Sequence, residues 1–206
     1  TERVSMSLSG GSTPMPIYAQ MARAQLAWDR VVAIPTDERW VSRDHPSNNA
    51  HQIRQHLQGH GPVVLDLVPE QVEGQPDVAF AQTQLQTMPA PFQVSVVGMG
   101  QDAHFASLFP YNEALSQGLN PASGVDVLGL TPNPLPPEAP FGRVSLSLSK
   151  LLHSESLVLL ITGEAKRLVL ETAWQQMKAQ TADATQSPIV ALIEHAADRL
   201  EIHWSE

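Results

Sequence analysis

Val94-Ser95-Val96-Val97 runs directly into Gly98-Met99-Gly100-Gln101-Asp102-Ala103-His104. The apolar, β-branched run reads as a buried parallel strand, and the two glycines let the chain turn sharply and approach a ligand closely. In an open α/β sheet, ligands sit outside the carboxyl ends of the strands, so this turn brings Asp102 and His104 to the rim where chemistry is done. The segment Phe105-Ala106-Ser107-Leu108-Phe109 resumes an apolar pattern and predicts a short helix. A lone histidine can equally cap a helix or fill a core, so the motif gains weight only from its context.

A second glycine turn supplies that context. Val4-Ser5-Met6-Ser7-Leu8 reads as a strand, Ser9-Gly10-Gly11-Ser12-Thr13-Pro14 follows, and Ile17, Met21, Ala24 and Leu26 then recur at helical spacing. Backbone N–H groups freed at such a turn, ahead of a helix, form a site for phosphate or carboxylate, and Ser12 and Thr13 add hydroxyls. The turn has neither Gly-x-x-x-x-Gly-Lys nor Gly-x-Gly-x-x-Gly spacing, and Gly11-Ser12-Thr13 is not a nucleophile elbow. Ser12 or Thr13 would also serve as an ordinary N-cap, a reading compatible with anion binding.

The third cluster is Val31-Val32-Ala33-Ile34-Pro35, then Thr36-Asp37-Glu38-Arg39-Trp40-Val41, then Ser47-Asn48-Asn49. An arginine held by neighbouring carboxylates suits forked binding of a phosphate or carboxylate. The alternative is a solvated Asp37–Arg39 pair at a turn, worth little.

Together these words resemble the 6-phosphogluconolactonase family. The matching segments are Ser9-Gly10-Gly11-Ser12-Thr13-Pro14, Asp37-Glu38-Arg39 with Ser47-Asn48, and Gly98-Met99-Gly100-x-Asp102-x-His104 closing on Ser107-Leu108-Phe109-Pro110. Weaker echoes follow at Pro136-Pro137 with Arg143, at Gly163-Glu164-Ala165-Lys166 and at Pro188, so the likeness spans nearly the whole chain in order. Two departures stand out: Ala103 occupies the position where the family usually has Gly, and Phe105 the position of a usual Thr. If residue 103 is left-handed, its Cβ costs about 1 kcal/mol. The resemblance also implies a helix and further chain ahead of the first strand, which opens almost at Thr1, so a missing N-terminal segment is expected.

The resemblance implies an α/β fold, Rossmann-like and doubly wound, with a mostly parallel sheet and helices on both faces. It implies hydrolysis of a sugar-phosphate lactone in the cytoplasm without cofactor or metal. A lactone is already an activated acyl group, so a positioned water and a base suffice, and His104 is the candidate base. Asp102 or Asp37 would orient its ring or bind sugar hydroxyls. Charge on the carbonyl oxygen would fall to backbone N–H groups of a glycine turn, Gly100 included, or to a nearby cation. Gly10, Gly11, Ser12 and Thr13, with Arg39, Arg143 and Lys166, would hold the phosphate. The related glucosamine-6-phosphate deaminases are the nearest rival, but they resemble Asp-Glu-Tyr where this chain has Asp37-Glu38-Arg39, and Asn-Glu-Pro where it has Leu108-Phe109-Pro110. A non-catalytic sugar-phosphate sensor would have no reason to keep His104.

Composition agrees. The 206 residues are 42% hydrophobic and predict one domain over 1–206 with a sizeable core. Twelve Lys and Arg against 21 Asp and Glu give a net charge of −9, which disfavours a nucleic-acid partner and requires a local cluster of cations to hold an anionic substrate. There is no cysteine, and the eight histidines lack metal-ligand spacing: His51, His56 and His60 fall in a polar segment. No apolar run is long enough to span a membrane, and the chain is expected to be a monomer or homodimer. Strands are predicted near Val4, Val31, Val94, Val125, Val144 and Leu157, with an edge strand near Ile202, and helices over 15–26, 48–57, 78–88, 164–177 and 189–195. Leu168, Leu170, Ala173 and Met177 would form the buried stripe of the fourth helix.

Overall fold

The computed structural model describes residues 3–57 and 59–206. Nine strands alternate with seven helices along these residues: β1 Val4–Leu8, α1 Met15–Met21, β2 Val31–Pro35, β3 Asp37–Arg39, α2 Asn49–Leu57, β4 Val63–Val64, α3 Ala79–Gln86, β5 Phe92–Gly98, α4 Leu115–Gly118, β6 Val127–Leu130, β7 Arg143–Leu146, α5 Leu148–Leu152, β8 Ser154–Thr162, α6 Glu164–Lys178, α7 Ile189–Ala196 and β9 Leu200–Ser205. Six strands form the central sheet in the order β4-β2-β1-β5-β8-β9, and every neighbouring pair is parallel.

That order contains the switch point. From β1 the chain winds outward through β2 to β4; it then returns to β5 and winds the other way through β8 to β9. The crevice between β1 and β5 is where such folds bind ligands, because the loops leaving the two carboxyl ends part from each other there. Leu8 pairs with Val96, so the turn after β1 and the turn after β5 leave the sheet side by side.

Alternation along the strands sends side chains to two cores. Met6, Leu8 and Ala33 pack with Met15, Tyr18, Ala50, Ile53 and Leu57 from α1 and α2. Val32, Ile34, Val97, Leu157 and Leu159 belong to the larger core, with Leu85, Leu148, Leu151 and the apolar helix α7. Helix α7 follows Ser187-Pro188, as the proline predicts, and buries six of its eight residues. Each fully buried Leu or Ile here contributes roughly 1.5–3 kcal/mol of transfer free energy. Three serines form a ladder across the sheet: Ser7 Oγ donates to Ser95 Oγ (2.7 Å), Ser95 Oγ lies 2.8 Å from Ser154 Oγ, and Ser154 Oγ donates to the Leu151 carbonyl.

Several expectations are corrected. The strands expected near Val125 and Val144 do not join the parallel sheet: β6 and β7 form a separate antiparallel sheet with β3, in the order β3-β7-β6. The proline-rich segment between β6 and β7 contains no crossover helix, so the chain reverses and the strands pair antiparallel. Residues 105–109 form no helix. Leu108 N donates to the Phe105 carbonyl and Ala106 is left-handed (φ +47°), closing a tight turn. Helix α1 stops at Met21, with Met15 and Tyr18 buried while Ile17 is exposed. On α6, Leu170 and Ala173 are buried, but Leu168 is half exposed.

Candidate active site

The loops at the switch point enclose a cavity of about 250 Å³. Of the residues singled out from the sequence, Gly10, Gly11, Ser12, Thr13, Asp37, Arg39, Gly100, His104 and Lys166 line it. Asp102 stands behind His104, and Arg143 does not line the cavity.

The turn after β5 is built around its histidine. Gly100 N donates to the His104 carbonyl (2.9 Å) and Ala103 N to the Gly100 carbonyl (3.1 Å), which closes the turn and makes residue 103 left-handed (φ +66°). Ile189 N, at the start of α7, donates to the Ala103 carbonyl and ties the turn to the core. Asp102 Oδ1 lies 2.5 Å from His104 Nδ1, so Asp102, not Asp37, orients the ring. Burial opposes ionisation of Asp102, but the hydrogen bond and charge of His104 outweigh it and hold the carboxyl below its ordinary range. An ionised carboxylate has no proton to give, so Nδ1 carries the hydrogen of this contact, and Nε2 is the ring nitrogen left to accept a proton in the neutral imidazole.

The turn after β1 faces this pair. Gly11 is left-handed (φ +89°), and a Cβ on Gly10 would come within 2.1 Å of Asn49 Oδ1. The buried Tyr18 hydroxyl holds the Ser9 carbonyl (2.9 Å), fixing the loop from beneath. The N-cap of α1 is Pro14, with no side-chain cap, so the Ser12 and Thr13 hydroxyls are not spent on the helix. Thr13 Oγ1 lies 3.1 Å from Thr162 Oγ1 at the end of β8. Among the described residues, no backbone acceptor takes the N–H groups of Gly11, Ser12 or Thr13.

The segment after β2 contributes both signs of charge. Asp37 is buried and accepts from Thr36 Oγ1 at 3.3 Å and from Ser107 Oγ, while Asn49 Nδ2 donates to its carbonyl (2.8 Å). Glu38 is fully buried and seals the start of α2: its carboxyl accepts from the N–H groups of Arg39, Asn49 and Ala50, and the Asn48 side chain takes that of His51. Burial pushes the Glu38 carboxyl up to about 8 against the pull of those three N–H groups. Arg39 is not held by neighbouring carboxylates as expected; its Nη1 donates to the Ser47 carbonyl (2.7 Å). Among the described residues neither Arg39 nor Lys166 forms an ion pair, and burial lowers the Lys166 pKa. Two cations thus line one cavity without an ion-pair partner, with the Asp37 carboxylate lining the same space.

Arg143 sits apart. It is buried, and its guanidinium donates to the carbonyls of Ala139 (2.9 Å), Gly142 (3.2 Å) and Phe141 in its own loop, 5.8 Å from the Phe109 ring centre. Burial brings its pKa down to about 10, with the charge of Asp37 opposing. Sequence reasoning gave no role to Ser9, Thr36, Asn49, Ala106 or Leu160, which also line the cavity. Asn49 carried a signal, standing beside Ser47-Asn48 in a recognised word, whereas Leu160 is an ordinary strand residue. Among the described residues, no group of three or more His, Asp or Glu side chains is arranged to hold a metal ion, and no helix is long and apolar enough to cross a membrane.

Residues 1–204 match the family model described as glucosamine-6-phosphate isomerases/6-phosphogluconolactonase. The 6-phosphogluconolactonase of Caulobacter vibrioides is 34% identical over 207 residues, covering 99% of this chain and 84% of that protein. That of Pseudomonas putida is also 34% identical, over 96% of this chain and 77% of its own length. The crystal structure of a 6-phosphogluconolactonase from Shewanella baltica OS155 superposes with a TM-score of 0.87 at 28% identity, covering 99% of this chain and 84% of that one. With a matching sequence along nearly its whole length and the same fold around the switch-point cavity, the chain belongs to the glucosamine-6-phosphate isomerase/6-phosphogluconolactonase family.

Proposed function

We propose that the protein hydrolyses 6-phospho-D-glucono-1,5-lactone to 6-phosphogluconate, the lactonase step of the oxidative pentose phosphate pathway. The observation that carries this reading is one cavity lined by a carboxylate-oriented imidazole and by two cations that form no ion pair among the described residues. The curated relatives named above are 6-phosphogluconolactonases, which supports the choice of substrate within the family. The cytoplasmic location implied by the resemblance belongs to the same reading.

Each residue then has a chemical task. The Gly11–Thr13 amides, the Ser12 and Thr13 hydroxyls, Arg39 and Lys166 bind the phosphate, and this remote binding energy fixes the ring over His104. Nε2 of His104 takes a proton from water as its oxygen bonds to C1 of the lactone. Asp102 stabilises the imidazolium that forms. The amides of Gly100 and His104 already donate to His104 O and Asp102, so neither is free to take the charge on the carbonyl oxygen. Collapse of the tetrahedral intermediate breaks the bond from C1 to the ring oxygen, which takes the proton back from His104. Asp37, an acceptor facing the same space, binds sugar hydroxyls.

Freshly generated lactone, followed in the presence of chelator, tests this. The wild-type protein should accelerate its disappearance well above the spontaneous rate, and His104→Ala should lose at least about a hundredfold while staying folded. A folded His104→Ala variant with wild-type activity would remove the imidazole from the reaction.

A further inference from the structure

The hydrogen bond to Asp102 fixes one nitrogen of His104 but not the plane of its ring, which could still swing about that contact. Gly100 presents no Cβ on one side. What limits the swing is Phe109, whose ring centre lies 4.3 Å from that of the imidazole with the planes tilted by 36°. We propose that Phe109 is a positioning residue: its ring holds the imidazole plane so that Nε2 points at the water that attacks the lactone carbon.

Phe109 is itself firmly placed. Its N–H donates to the Ser107 carbonyl (3.1 Å) and its carbonyl accepts from Asn112 N (3.3 Å). Ser107 in turn binds the Asp37 carboxylate through Oγ and receives the Ser145 hydroxyl oxygen as acceptor for its N–H (3.1 Å). The Arg143 guanidinium, anchored by three carbonyls, lies over the Phe109 ring. This gives Arg143 a place in the site without a phosphate contact. Neither Phe109 nor Arg143 lines the cavity, so Phe109 bears on the orientation of the base rather than on substrate binding.

The inference rests on His104 being the base, and the test separates the two. In Phe109→Leu, which keeps apolar bulk but loses the flat ring, kcat should fall at least tenfold with KM changed less than about twofold, as misplacement of a reacting group predicts. Phe109→Tyr, which restores the ring, should recover kcat to within about threefold. Independently of activity, the His104 ring protons, assigned by their loss in His104→Ala, should be shifted upfield in the wild-type NMR spectrum by the Phe109 ring current. That shift should persist in Phe109→Tyr and vanish in Phe109→Leu. Unchanged kcat in Phe109→Leu, a KM that rises in step with the fall in kcat, or wild-type His104 protons without the upfield shift would each overturn the proposal. An inactive wild-type protein would instead overturn the lactonase reading, while the NMR arm still tests the ring contact.

Discussion

The imidazole of His104 lies against the bare Cα of Gly100: a Cβ at residue 100 would stand 2.3 Å from Nδ1 and Cε1 of the ring, and 2.5 Å from Asp102 Oδ1. Glycine is required there to make room for the histidine–aspartate pair. Gly100→Ala should therefore displace both side chains and lower kcat about a hundredfold, since a shift of about 1 Å in a reacting group has that effect. Circular dichroism should show the fold intact. A Gly100→Ala enzyme with normal kcat would mean that the pair is not held where the structure has it.

Arg39 and Lys166 separate binding of the phosphate from the chemistry at C1. Arg39→Ala and Lys166→Ala should each raise KM for the phosphorylated lactone about tenfold or more, in line with roughly 1.5–3 kcal/mol for a charged hydrogen bond. The same variants should barely change kcat/KM for unphosphorylated gluconolactone. Equal losses on both lactones, measured by steady-state kinetics, would place the two cations elsewhere in the mechanism.

Ala103 holds a left-handed backbone at φ +66°, a conformation that costs an L-residue about 1–2 kcal/mol and glycine almost nothing. After allowing for the greater freedom of glycine in the unfolded chain, Ala103→Gly should stabilise the protein by about 0.5–1 kcal/mol. Urea denaturation reads this directly. A loss of stability would show that the methyl packs better than the strained backbone costs.

Much of this site is legible in sequence because its key words are local. Asp102 and His104 are two residues apart on one turn, and the Gly10–Thr13 turn is continuous, so spacing alone places each near a strand end. What remains hidden is long-range. Ser107 reaches Asp37 across 70 residues, and Asn49 fits beside Gly10 only because α2 starts against the turn after β1. Arg143 reads as a phosphate ligand because an arginine in a recognised family word looks free; nothing in the sequence reveals that the carbonyls of its own loop capture it. The separate sheet is hidden for a similar reason. An apolar run such as the one at β6 reads the same in either direction of pairing, and only the path of the proline-rich connection decides which it adopts.

Glu38 makes stability depend on pH. Its folded pKa of about 8 lies above the ordinary carboxyl value of 4.5, so the folded state retains a proton that the unfolded chain releases. Its contribution is fully present below about pH 4.5 and is lost as pH rises toward 8, at roughly 1.4 kcal/mol per pKa unit. Glu38→Gln carries no titrating group, so it should lose less stability than wild type between pH 5.5 and 8.5 by urea denaturation. Parallel pH profiles for the two proteins would contradict the assignment.

The most direct test is a crystal structure of the protein soaked with 6-phosphogluconate, the product of the proposed reaction. The phosphate should rest against Gly11–Thr13 with Arg39 and Lys166, and the C1 carboxylate should lie within hydrogen-bond reach of His104 Nε2. A phosphate bound elsewhere, or a C1 group turned away from His104, would contradict the convergence of base and anion site on which the account depends.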